Sequence, residues 1–431
     1  MIKRIGKNIL CSLLEAQVKR LRAQHQFKVV AVAGSVGKTS TKLAIARTLS
    51  HRTKVIFQDG NYNDRLTVPL VLFGHTEPPI FNIAAWFKIL LANRRIINSD
   101  YDYGLAVLEL GTDAPGQLEA FRYLQPDLTV ITAIAAEHME YFESLERVAA
   151  EELTPVQFSK QTLLNLDDIA AKFLPNAPYI GYGAASAATY RFVQQTAHGL
   201  AGQSLEIALG SDETIQVATL LPGRSIAKAL LASAAVAHLL DWSGQDIIAG
   251  LEAVGPVAGR MQILPGQHGA TLIDDTYNAS PIAVRTALDS LYDVAAPQRI
   301  AILGSMNELG ASSQAEHAVI GAYCDPKKLD VVVTIGQTAK EYLAPAAEKA
   351  GCTVVAFDTP YEAGNYVKHK LVTGAVVLAK GSQNGVFAEE AVKLLLANPG
   401  DAARLVRQSA NWQRIKQQQF PITTPRAPEH H

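Results

Sequence analysis

Long apolar runs, paired cysteines and an excess of charge of either sign are all missing from this sequence of 431 residues. No stretch reaches the roughly 20 apolar residues that a membrane-spanning helix needs, and the nearest one, from Phe81 to Arg95, is interrupted by Lys88. The three cysteines are widely separated, which excludes a disulfide framework and favours a reducing compartment. With 39 basic and 40 acidic residues, no general field would attract nucleic acid. We therefore expect no transmembrane segment and no nucleic-acid partner.

Strand-like and helix-like segments alternate along the chain. Hydrophobic residues make up 48% of it and charged residues 18%, which is typical of a folded protein with two or three domains. A first series of apolar runs reads KVVAVA, LAVLEL, LTVITA and TLLNL, and a second reads TLIDD, RIAILG, DVVVTIG, TVVAF and AVVLAKG. Because helical patterns separate these runs, we predict an α/β fold with mostly parallel sheets.

Breaks in this alternation indicate the domain organisation. The predicted divisions are an N-terminal amphipathic helix at 1–28, a central nucleotide-binding domain at 29–262, a C-terminal Rossmann-like domain at 263–416 and a polar tail at 417–431. Short alternating segments between residues 175 and 219 predict a small antiparallel insertion. The N-terminal helix either packs on its own domain or presents a basic face to a membrane surface or a partner.

The stretch VVAVAGSVGKTST joins a buried strand to a helix through a turn of small residues. Successive backbone N–H groups in such a turn, together with the helix N-terminus, bind anionic oxygens. Lys38 can place its ammonium on the β- and γ-phosphates of a nucleotide, and Thr39 can offer its hydroxyl to Mg²⁺. A glycine-rich turn without a ligand would explain neither the lysine nor the hydroxyls. The predicted nucleotide site comprises Gly34, Ser35, Val36, Gly37, Lys38, Thr39 and Ser40.

Two further strand ends carry side chains that metal ions bind. Glu109 ends one buried run, and His138 follows the next predicted strand. A lone histidine after a strand is commonly a structural residue. A carboxylate and an imidazole that both lie beside a phosphate-binding loop favour Mg²⁺ instead. We therefore predict Thr39, Glu109 and His138 as metal ligands.

Together these motifs resemble those of the ATP-dependent Mur ligases, most closely the branch that joins D-alanyl-D-alanine to a UDP-muramoyl peptide. The likeness covers nearly the whole chain after Phe27. Besides the phosphate loop it rests on GNYNDRLTVP at Gly60, LELG at Leu108, AAEHMEYFESL at Ala135, AGR at Ala258, LIDDTYNASP at Leu272, GSMNELG at Gly304 with His317 after it, and AKGS at Ala379.

The resemblance implies an amide ligase that uses ATP and Mg²⁺ and works through an acyl phosphate. It implies that Lys38 and Arg260 stabilise the γ-phosphate, and that the second domain binds the incoming amine and closes over ATP. The implied nucleotide contacts are Asp275, Tyr277 and Asn278. The implied substrate contacts are Asn61, Asn63, Asn307, Glu308, Lys380 and Ser382.

One departure from the family concerns an anion beside the metal. The resembling enzymes usually have, shortly after the metal histidine, a lysine that CO₂ converts into a carbamate. Alignment through FESLERVAAEEL places Glu152 at that position. Because a carboxylate already carries the negative charge, we predict that Glu152 replaces the carbamate and acts as a catalytic residue. The alternative is a solvated helix residue.

Other departures concern substrate recognition. Only 33 residues precede Gly34, where the resembling enzymes have a whole domain that grips the UDP-sugar. PGRSIAKA replaces the usual G-x-H-N-x-x-N, and Gln383 stands where an arginine would grip a carboxylate in a bidentate manner. A partner protein that supplies substrate recognition, or a different substrate, is the resulting expectation.

The predicted function is an ATP-dependent amide ligase that adds an amino acid or a dipeptide to a cell-wall precursor in the cytoplasm. One alternative is a Mur-type ligase for a different pair of carboxylate and amine substrates. A second alternative is a non-catalytic ATP-binding partner protein. A P-loop kinase or motor ATPase does not account for the second series of strands and its motifs.

Overall fold

Two compact units follow one another along the chain. The structure is a computed structural model that describes residues 2–60, 62–211 and 213–420, with side chains from residue 6 onward. The first unit runs to Gly255 and the second begins at Pro256.

The first unit is built on one large sheet. Its described strands are β1 (Lys28–Ala33), β2 (Val55–Ile56), β3 (Leu105–Glu109), β4 (Leu128–Ile131), β5 (Gln161–Asn165), β6 (Ile180–Gly183), β7 (Tyr190–Ala197), β8 (Gln203–Leu209) and β9 (Glu213–Thr219). Their order across the sheet is β2-β3-β1-β4-β5-β6-β7-β8-β9. Neighbours from β2 across to β7 are parallel, whereas β7, β8 and β9 pair antiparallel, within the predicted insertion.

Helices cover both faces of this sheet. They are α1 (Ile2–Gln24), α2 (Lys38–Leu49), α3 (Thr67–Leu72), α4 (Ile83–Ile97), α5 (Met139–Phe142), α6 (Leu145–Glu152), α7 (Arg224–Leu239) and α8 (Gly244–Glu252), with 3-10 turns at Leu118–Leu124, Thr154–Gln157, Ala171–Phe173 and Gly199–Ala201. Val30 and Val32 of β1 share a core with α2 and α7, whereas Val29 and Ala31 share a core with α1 and α3. Because both faces are covered, β1 is apolar throughout instead of alternating.

The second unit has a smaller sheet with the order β10-β11-β15-β12-β13-β14. Its strands are β10 (Gln262–Pro265), β11 (Thr271–Asp275), β12 (Arg299–Gly304), β13 (Val331–Ile335), β14 (Val354–Phe357) and β15 (Val376–Lys380). All neighbours are parallel except β10 and β11. Its helices are α9 (Pro281–Tyr292), α10 (Ser313–Tyr323), α11 (Ala344–Lys349), α12 (Pro360–Lys370), α13 (Glu389–Leu395) and α14 (Ala410–Gln419), with shorter helical turns at Gln267–Gly269, Gly310–Ser312, Ala339–Leu343 and Pro399–Arg404.

These sheets confirm the predicted α/β class with mostly parallel strands. The division between the units differs from the predicted one, which separates residue 262 from residue 263 and so falls inside β10. Antiparallel pairing of Gln262 with Asp274 ties the whole of β10 to the second unit. The N-terminal helix belongs to the first unit and is not a division of its own.

The predicted polar tail begins inside a packed helix. Lys416 of α14 is fully buried, and its Nζ lies 2.8 Å from Glu389 Oε1 and 2.7 Å from Glu390 Oε1. The Arg407 guanidinium also binds Glu389, at 2.7 Å. These buried ion pairs anchor α14, whose last three residues, 417–419, fall in the predicted polar tail. Residues 421–431 of that tail lie outside the described residues.

Helix α1 packs on the first unit through one face. Leu14, Val18 and Leu21 are fully buried. Arg65 Nε donates to Glu15 Oε1 at 2.5 Å, and Gln17 Nε2 donates to the backbone oxygen of Leu90 in α4 at 2.8 Å. The interpretation that this helix packs on its own domain therefore holds. None of the described helices combines the length and the apolarity that crossing a bilayer requires.

Leu14→Ala is expected to lower the free energy of unfolding of the first unit by about 2–5 kcal/mol, because it leaves a cavity under α1. Leu13→Ala is the matched control, since the side chain of Leu13 is half exposed and its removal should cost about 0.5 kcal/mol or less. Urea unfolding followed by circular dichroism measures both values. Equal losses in the two variants would show that α1 is not packed as described.

Candidate active site

The loop between β1 and α2 passes where only glycine fits. Gly34 has a φ of 118°, and a Cβ there would lie 2.5 Å from Thr132 Oγ1 and 2.9 Å from Ala133 N. The N–H of Ser35 donates to Ala133 O at 2.9 Å, which fixes the loop against the end of β4. Gly37, with a φ of 87°, precedes the first residue of α2. The predicted loop residues Gly34, Ser35, Val36, Gly37, Lys38, Thr39 and Ser40 thus span the turn and the start of the helix.

Lys38 is held in this loop by backbone and by carboxylates. Its Nζ donates to Ser35 O at 3.1 Å, and it lies 3.5 Å from Glu137 Oε2 and 4.0 Å from Glu152 Oε1. Burial alone lowers the pKa of Lys38, but the nearby carboxylates of Glu137, Glu152 and Glu109 outweigh burial and raise it. The ammonium therefore keeps its charge at neutral pH.

Glu109 ends strand β3 inside a polar cluster beside the loop. Its Oε1 accepts hydrogen bonds from Thr39 Oγ1 and from Asn63 Nδ2, both at 3.2 Å. Its Oε2 lies 3.3 Å from the ammonium of Lys42, and the side chains of Glu109 and Lys42 are each only 2% exposed. Gly111 leaves room for Asn63, because a Cβ on Gly111 would lie 2.6 Å from the Asn63 amide. The cluster thus brings together three of the predicted site residues.

His138 follows β4 in a strained backbone conformation. Its φ is 50°, a left-handed value that costs a residue other than glycine about 1–3 kcal/mol. Its Nε2 lies 3.6 Å from Asp113 Oδ1 and 3.9 Å from Glu137 Oε1. The predicted imidazole therefore faces carboxylates from the loops that follow β3 and β4.

Glu152 is buried at the end of α6 and contacts the phosphate loop. Its Oε2 accepts a hydrogen bond from the Gly34 N–H at 2.7 Å. Burial raises the pKa of Glu152 to about 7, with Lys38 acting in the opposite direction. The alternative of a solvated helix residue therefore does not hold, whereas the replacement of a carbamate stays a prediction.

The donor set at Glu109 suits Mg²⁺. Glu109 Oε2 is buried and accepts no hydrogen bond, although the Lys42 ammonium is near enough for an ionic interaction. The Thr39 hydroxyl lies beside the same carboxylate. Among the described residues, no three His, Cys, Asp or Glu side chains form a metal-binding group. Mg²⁺ usually takes one or two carboxylates together with water and phosphate oxygens, so a complete protein cage is not required.

Sequence reasoning missed two residues of this region. Lys42 lies one helical turn after Lys38, and that spacing would have placed it on the same face of α2. Glu151 accepts hydrogen bonds from Leu118 N at 2.7 Å and from Gly116 N at 2.6 Å, and so it holds the loop after β3. Neighbouring residues of a helix point in different directions, but only the fold shows which glutamate points at which loop.

Asn61, a predicted substrate contact, lies outside the described residues. Asn63, the other predicted contact from the same motif, binds Glu109 as described above. That motif therefore reaches the predicted metal site through Asn63.

In the second unit, polar side chains collect at the carboxyl ends of β11, β15 and β12. Lys380 is buried, and its Nζ lies 2.6 Å from Asp275 Oδ2 and donates to Asn278 O at 2.9 Å. Burial lowers the pKa of Lys380, and Asp275 partly offsets this. The other carboxylate oxygen of Asp275 accepts the Met261 N–H at 3.2 Å. The predicted nucleotide contact Asp275 and the predicted substrate contact Lys380 thus form one ion pair.

Arg260 and Tyr277 lie together in the second unit. The Arg260 guanidinium carbon lies 4.1 Å from the centre of the Tyr277 ring, which is a cation–π contact. The Tyr277 N–H donates to Gly259 O at 3.1 Å. Asn278 follows, and its Oδ1 accepts the N–H of Ala279 at 2.9 Å. The AGR and DDTYN motifs therefore meet at one place in the second unit.

The GSMNELG and AKGS motifs also meet. The Asn307 N–H donates to Ser382 Oγ at 2.8 Å, and Asn307 Nδ2 donates to Asn384 O at 2.6 Å. Glu308 is exposed, with a φ of 66°. Buried His317 accepts the N–H of Met306 at Nε2, at 2.9 Å, and its Nδ1 lies 2.7 Å from Ser313 O. Burial lowers the pKa of His317, so a neutral ring supports this loop.

Two family models match the chain. The Mur ligase middle domain matches residues 32–237, and the glutamate ligase domain of Mur ligases matches residues 259–383. Together these ranges cover about three quarters of the chain. Both contain the predicted motifs in the expected order.

Individual relatives of the chain are also Mur ligases. UDP-N-acetylmuramoyl-tripeptide–D-alanyl-D-alanine ligase of Bacillus subtilis is 27% identical over 381 residues, which are 86% of this chain and 76% of that protein. Among solved structures, MurF of Acinetobacter baumannii has a TM-score of 0.73 at 22% identity and covers 90% of this chain and 79% of its own. MurF of Thermotoga maritima in complex with ADP has a TM-score of 0.72 at 22% identity and covers 90% and 83%.

The structural likenesses, all below 25% identity, establish the fold, and the sequence matches establish the family. The predicted class of function, an ATP-dependent ligase resembling MurF, is confirmed by these relatives. The chain belongs to the Mur ligase family.

Proposed function

We propose that this chain uses ATP to convert a substrate carboxylate of a cell-wall precursor into an acyl phosphate and then joins it to an amino acid or a dipeptide. The observation that carries the proposal is the cluster of Lys38, Thr39 and Glu109 at the ends of the neighbouring strands β1 and β3. It combines a phosphate-binding loop, a charged lysine and a carboxylate of the kind that binds Mg²⁺.

The chemistry takes two steps. A carboxylate oxygen attacks the γ-phosphorus of ATP, the bond to the β-phosphate oxygen breaks, and ADP leaves. The nitrogen of a neutral amine then attacks the acyl carbon, the bond to the phosphate oxygen breaks, and inorganic phosphate and one proton are released. Little covalent work falls to the protein, which aligns the reactants and offsets charge.

In the first unit, Lys38 and the phosphate loop are proposed to align the phosphates and to offset most of their charge. The loop N–H groups and the helix N-terminus bind phosphate oxygens, and the Lys38 ammonium offsets the charge on the transferred phosphoryl group. In the protein without nucleotide, Ser35 O, Glu137 and Glu152 hold that ammonium in place. From its match to the family motif, Arg260 is proposed to stabilise the γ-phosphate.

One Mg²⁺ would be held by Thr39 and a second by Glu109 and His138. When bound, these ions would neutralise phosphate charge and polarise the γ-phosphoryl group. Asn63 and Lys42 orient the Glu109 carboxylate through its two oxygens. The strained backbone of His138 keeps the imidazole near the end of β4.

Glu152 is proposed to supply the anion that a carbamoylated lysine supplies in the resembling enzymes. Its buried carboxylate lies next to Lys38 and accepts the Gly34 N–H, so it links α6 to the phosphate loop. Loss of its charge would disturb the position of both groups.

The second unit is proposed to bind the nucleoside and the amine. Asp275 would hold the ribose hydroxyls, with Tyr277 and Asn278 near the base, while Lys380 and Ser382, with Asn307 and Glu308, would contact the substrates. Gln383 lacks the guanidinium that would grip a substrate carboxylate in a bidentate manner. An amine substrate other than D-alanyl-D-alanine is therefore part of the proposal.

The reaction is placed in the cytoplasm, where ATP is available. The three cysteines are buried and free, which agrees with a reducing compartment. A partner protein that helps to recognise the precursor belongs to the same proposal.

Release of phosphate from ATP should require both a carboxylate and an amine substrate, and Lys38→Ala should lower the turnover by about 10²–10³-fold. A coupled phosphate assay across a panel of UDP-muramoyl peptides, amino acids and dipeptides measures this. Lys160→Ala, an exposed lysine at the start of β5, is the matched control and should leave turnover unchanged. Tight ATP binding without release that depends on a substrate pair would favour a non-catalytic protein.

Glu152→Gln should lower turnover by about 10²-fold, because it keeps the shape but removes the charge. Glu152→Lys should be equally slow and should regain activity when bicarbonate is added, because CO₂ can convert the new lysine into a carbamate. Glu143→Gln, at an exposed glutamate nearby, should have no effect. A fully active Glu152→Gln variant, or a Glu152→Lys variant that bicarbonate does not rescue, contradicts the proposed role.

Without ligands, Glu152 should make the protein less stable as the pH rises through neutrality. The folded state binds this proton more tightly, since the pKa is about 7 instead of the ordinary 4.5, so the free energy of unfolding falls between these two values. Urea unfolding at about pH 5 and about pH 8 should show this fall in the wild type. The fall should be smaller in Glu152→Gln, and identical pH dependence in the two proteins would mean that Glu152 is not protonated as described.

A further inference from the structure

Two neighbouring helices of the first unit expose apolar side chains on their outer surface. We call this set the outer helix patch: Ile9 (58% exposed) and Leu13 (48%) of α1, and Ile83 (79%), Phe87 (61%) and Leu91 (43%) of α4. Within each helix these residues are spaced four apart, so they form one stripe on each helix. Large apolar side chains grouped in this way on a surface mark an interaction site.

The two stripes border the same seam. Gln17 of α1 donates to Leu90 O of α4, and His25 Nε2 lies 2.9 Å from Ile97 O, so the helices run side by side in the same direction. Counting back from these contacts along both helices brings Leu13 within about two residues of the level of Phe87, and Ile9 within about two residues of the level of Ile83. The stripes therefore form one continuous patch.

The patch is separate from the core beneath it. The inner faces of both helices are already packed, with Leu14 of α1 and Trp86 of α4 in a cluster that also contains Leu70 of α3 and Leu66, which precedes α3. Asn93 Nδ2 donates to Gln17 Oε1 at 2.8 Å and closes the seam from inside. The outer residues thus contribute little to the fold.

Cations lie at one end of the patch and along its edge. Arg20 continues the stripe of α1, Arg94 continues that of α4, and Lys88 and Arg95 flank it. These four side chains are exposed, and none forms a salt bridge within the described part of the chain. From residue 78 to residue 99 the sequence has no acidic residue.

Acidic groups near α1 already have partners. Glu15 binds Arg65, and Asp64 lies 3.6 Å from Lys7. Glu77 lies near Asp64 and Lys7, and burial raises its pKa. The free charge along the patch is therefore positive.

We propose that the outer helix patch docks the first unit on the surface of an anionic lipid bilayer. Apolar side chains would enter the boundary of the acyl chains, while Arg20, Arg94, Lys88 and Arg95 contact the headgroup phosphates. A second copy of this chain fits less well, because it would bring the same unpaired cations against each other. This proposal does not depend on the ligase chemistry.

The test is cosedimentation of the full chain with vesicles that contain phosphatidylglycerol and with vesicles of phosphatidylcholine alone. The partition coefficient should be at least about tenfold higher with phosphatidylglycerol, and it should fall as salt is added. The variant with Phe87→Ser and Leu91→Ser, and the variant with Arg20→Glu and Arg94→Glu, should each lose about tenfold in binding.

Control variants remove an apolar side chain or reverse charge at exposed positions outside the outer helix patch. Leu220→Ser removes an apolar side chain that is also exposed, and the pair Lys340→Glu and Lys368→Glu alters charge equally on the second unit. Both controls should bind as the wild type does, and circular dichroism should show that every variant is folded.

The proposal is overturned if the wild type binds neither kind of vesicle, if it binds both equally, or if the patch variants bind as well as the controls do. A lipid-free dimer, seen by analytical ultracentrifugation and abolished by Phe87→Ser, would assign the patch to a protein interface.

Discussion

A balance of buried charge holds the candidate site of the first unit together. Lys38 and Lys42 lie among the carboxylates of Glu109, Glu137 and Glu152, at the ends of strands β1, β3 and β4. A buried charge without a partner is costly, so each lysine keeps its place only while the carboxylates remain. The same groups join the phosphate loop to α6, since Glu152 accepts the N–H of Gly34. The negative charge of a bound nucleotide would compete with these carboxylates for Lys38. Phosphate binding would therefore be coupled to the conformation of the loop.

The sequence was most informative where a site is local in the chain. The phosphate loop and the strand-end residues Glu109 and His138 follow from apolar runs that end in polar residues, and parallel strands bring such ends to one edge. Contacts between distant residues were not predictable. The Asp275–Lys380 ion pair joins residues 105 apart, and it forms because β15 lies next to β11, an order that no local pattern encodes. The packing of Lys416 at the end of the predicted C-terminal domain was not predictable either, because nothing in its neighbourhood in sequence reveals the buried Glu389 and Glu390.

Helix α1 has a packed inner face and an exposed outer face. Its inner face is apolar and tied to the rest of the unit by Glu15 and Gln17, so it is part of the fold. Its outer face joins that of α4 in a surface that the fold does not need. The sequence is compatible with two interpretations of this helix, a packed element or an interaction surface. The structure shows that packing on the domain leaves the opposite face exposed.

The position of β15 in the second unit has a consequence for how the protein folds while it is being synthesised. β15 is the last strand of its sheet to be synthesised, yet it lies between β11 and β12, which do not pair with each other. Until residues 376–380 emerge, the earlier strands have open edges and can pair with other chains. Strand pairing across so long a separation is slow to form. The strands of the first unit are complete by Thr219, well before β15 is made. Newly made chains should therefore pass through a stage with one folded unit and one that still needs protection from aggregation.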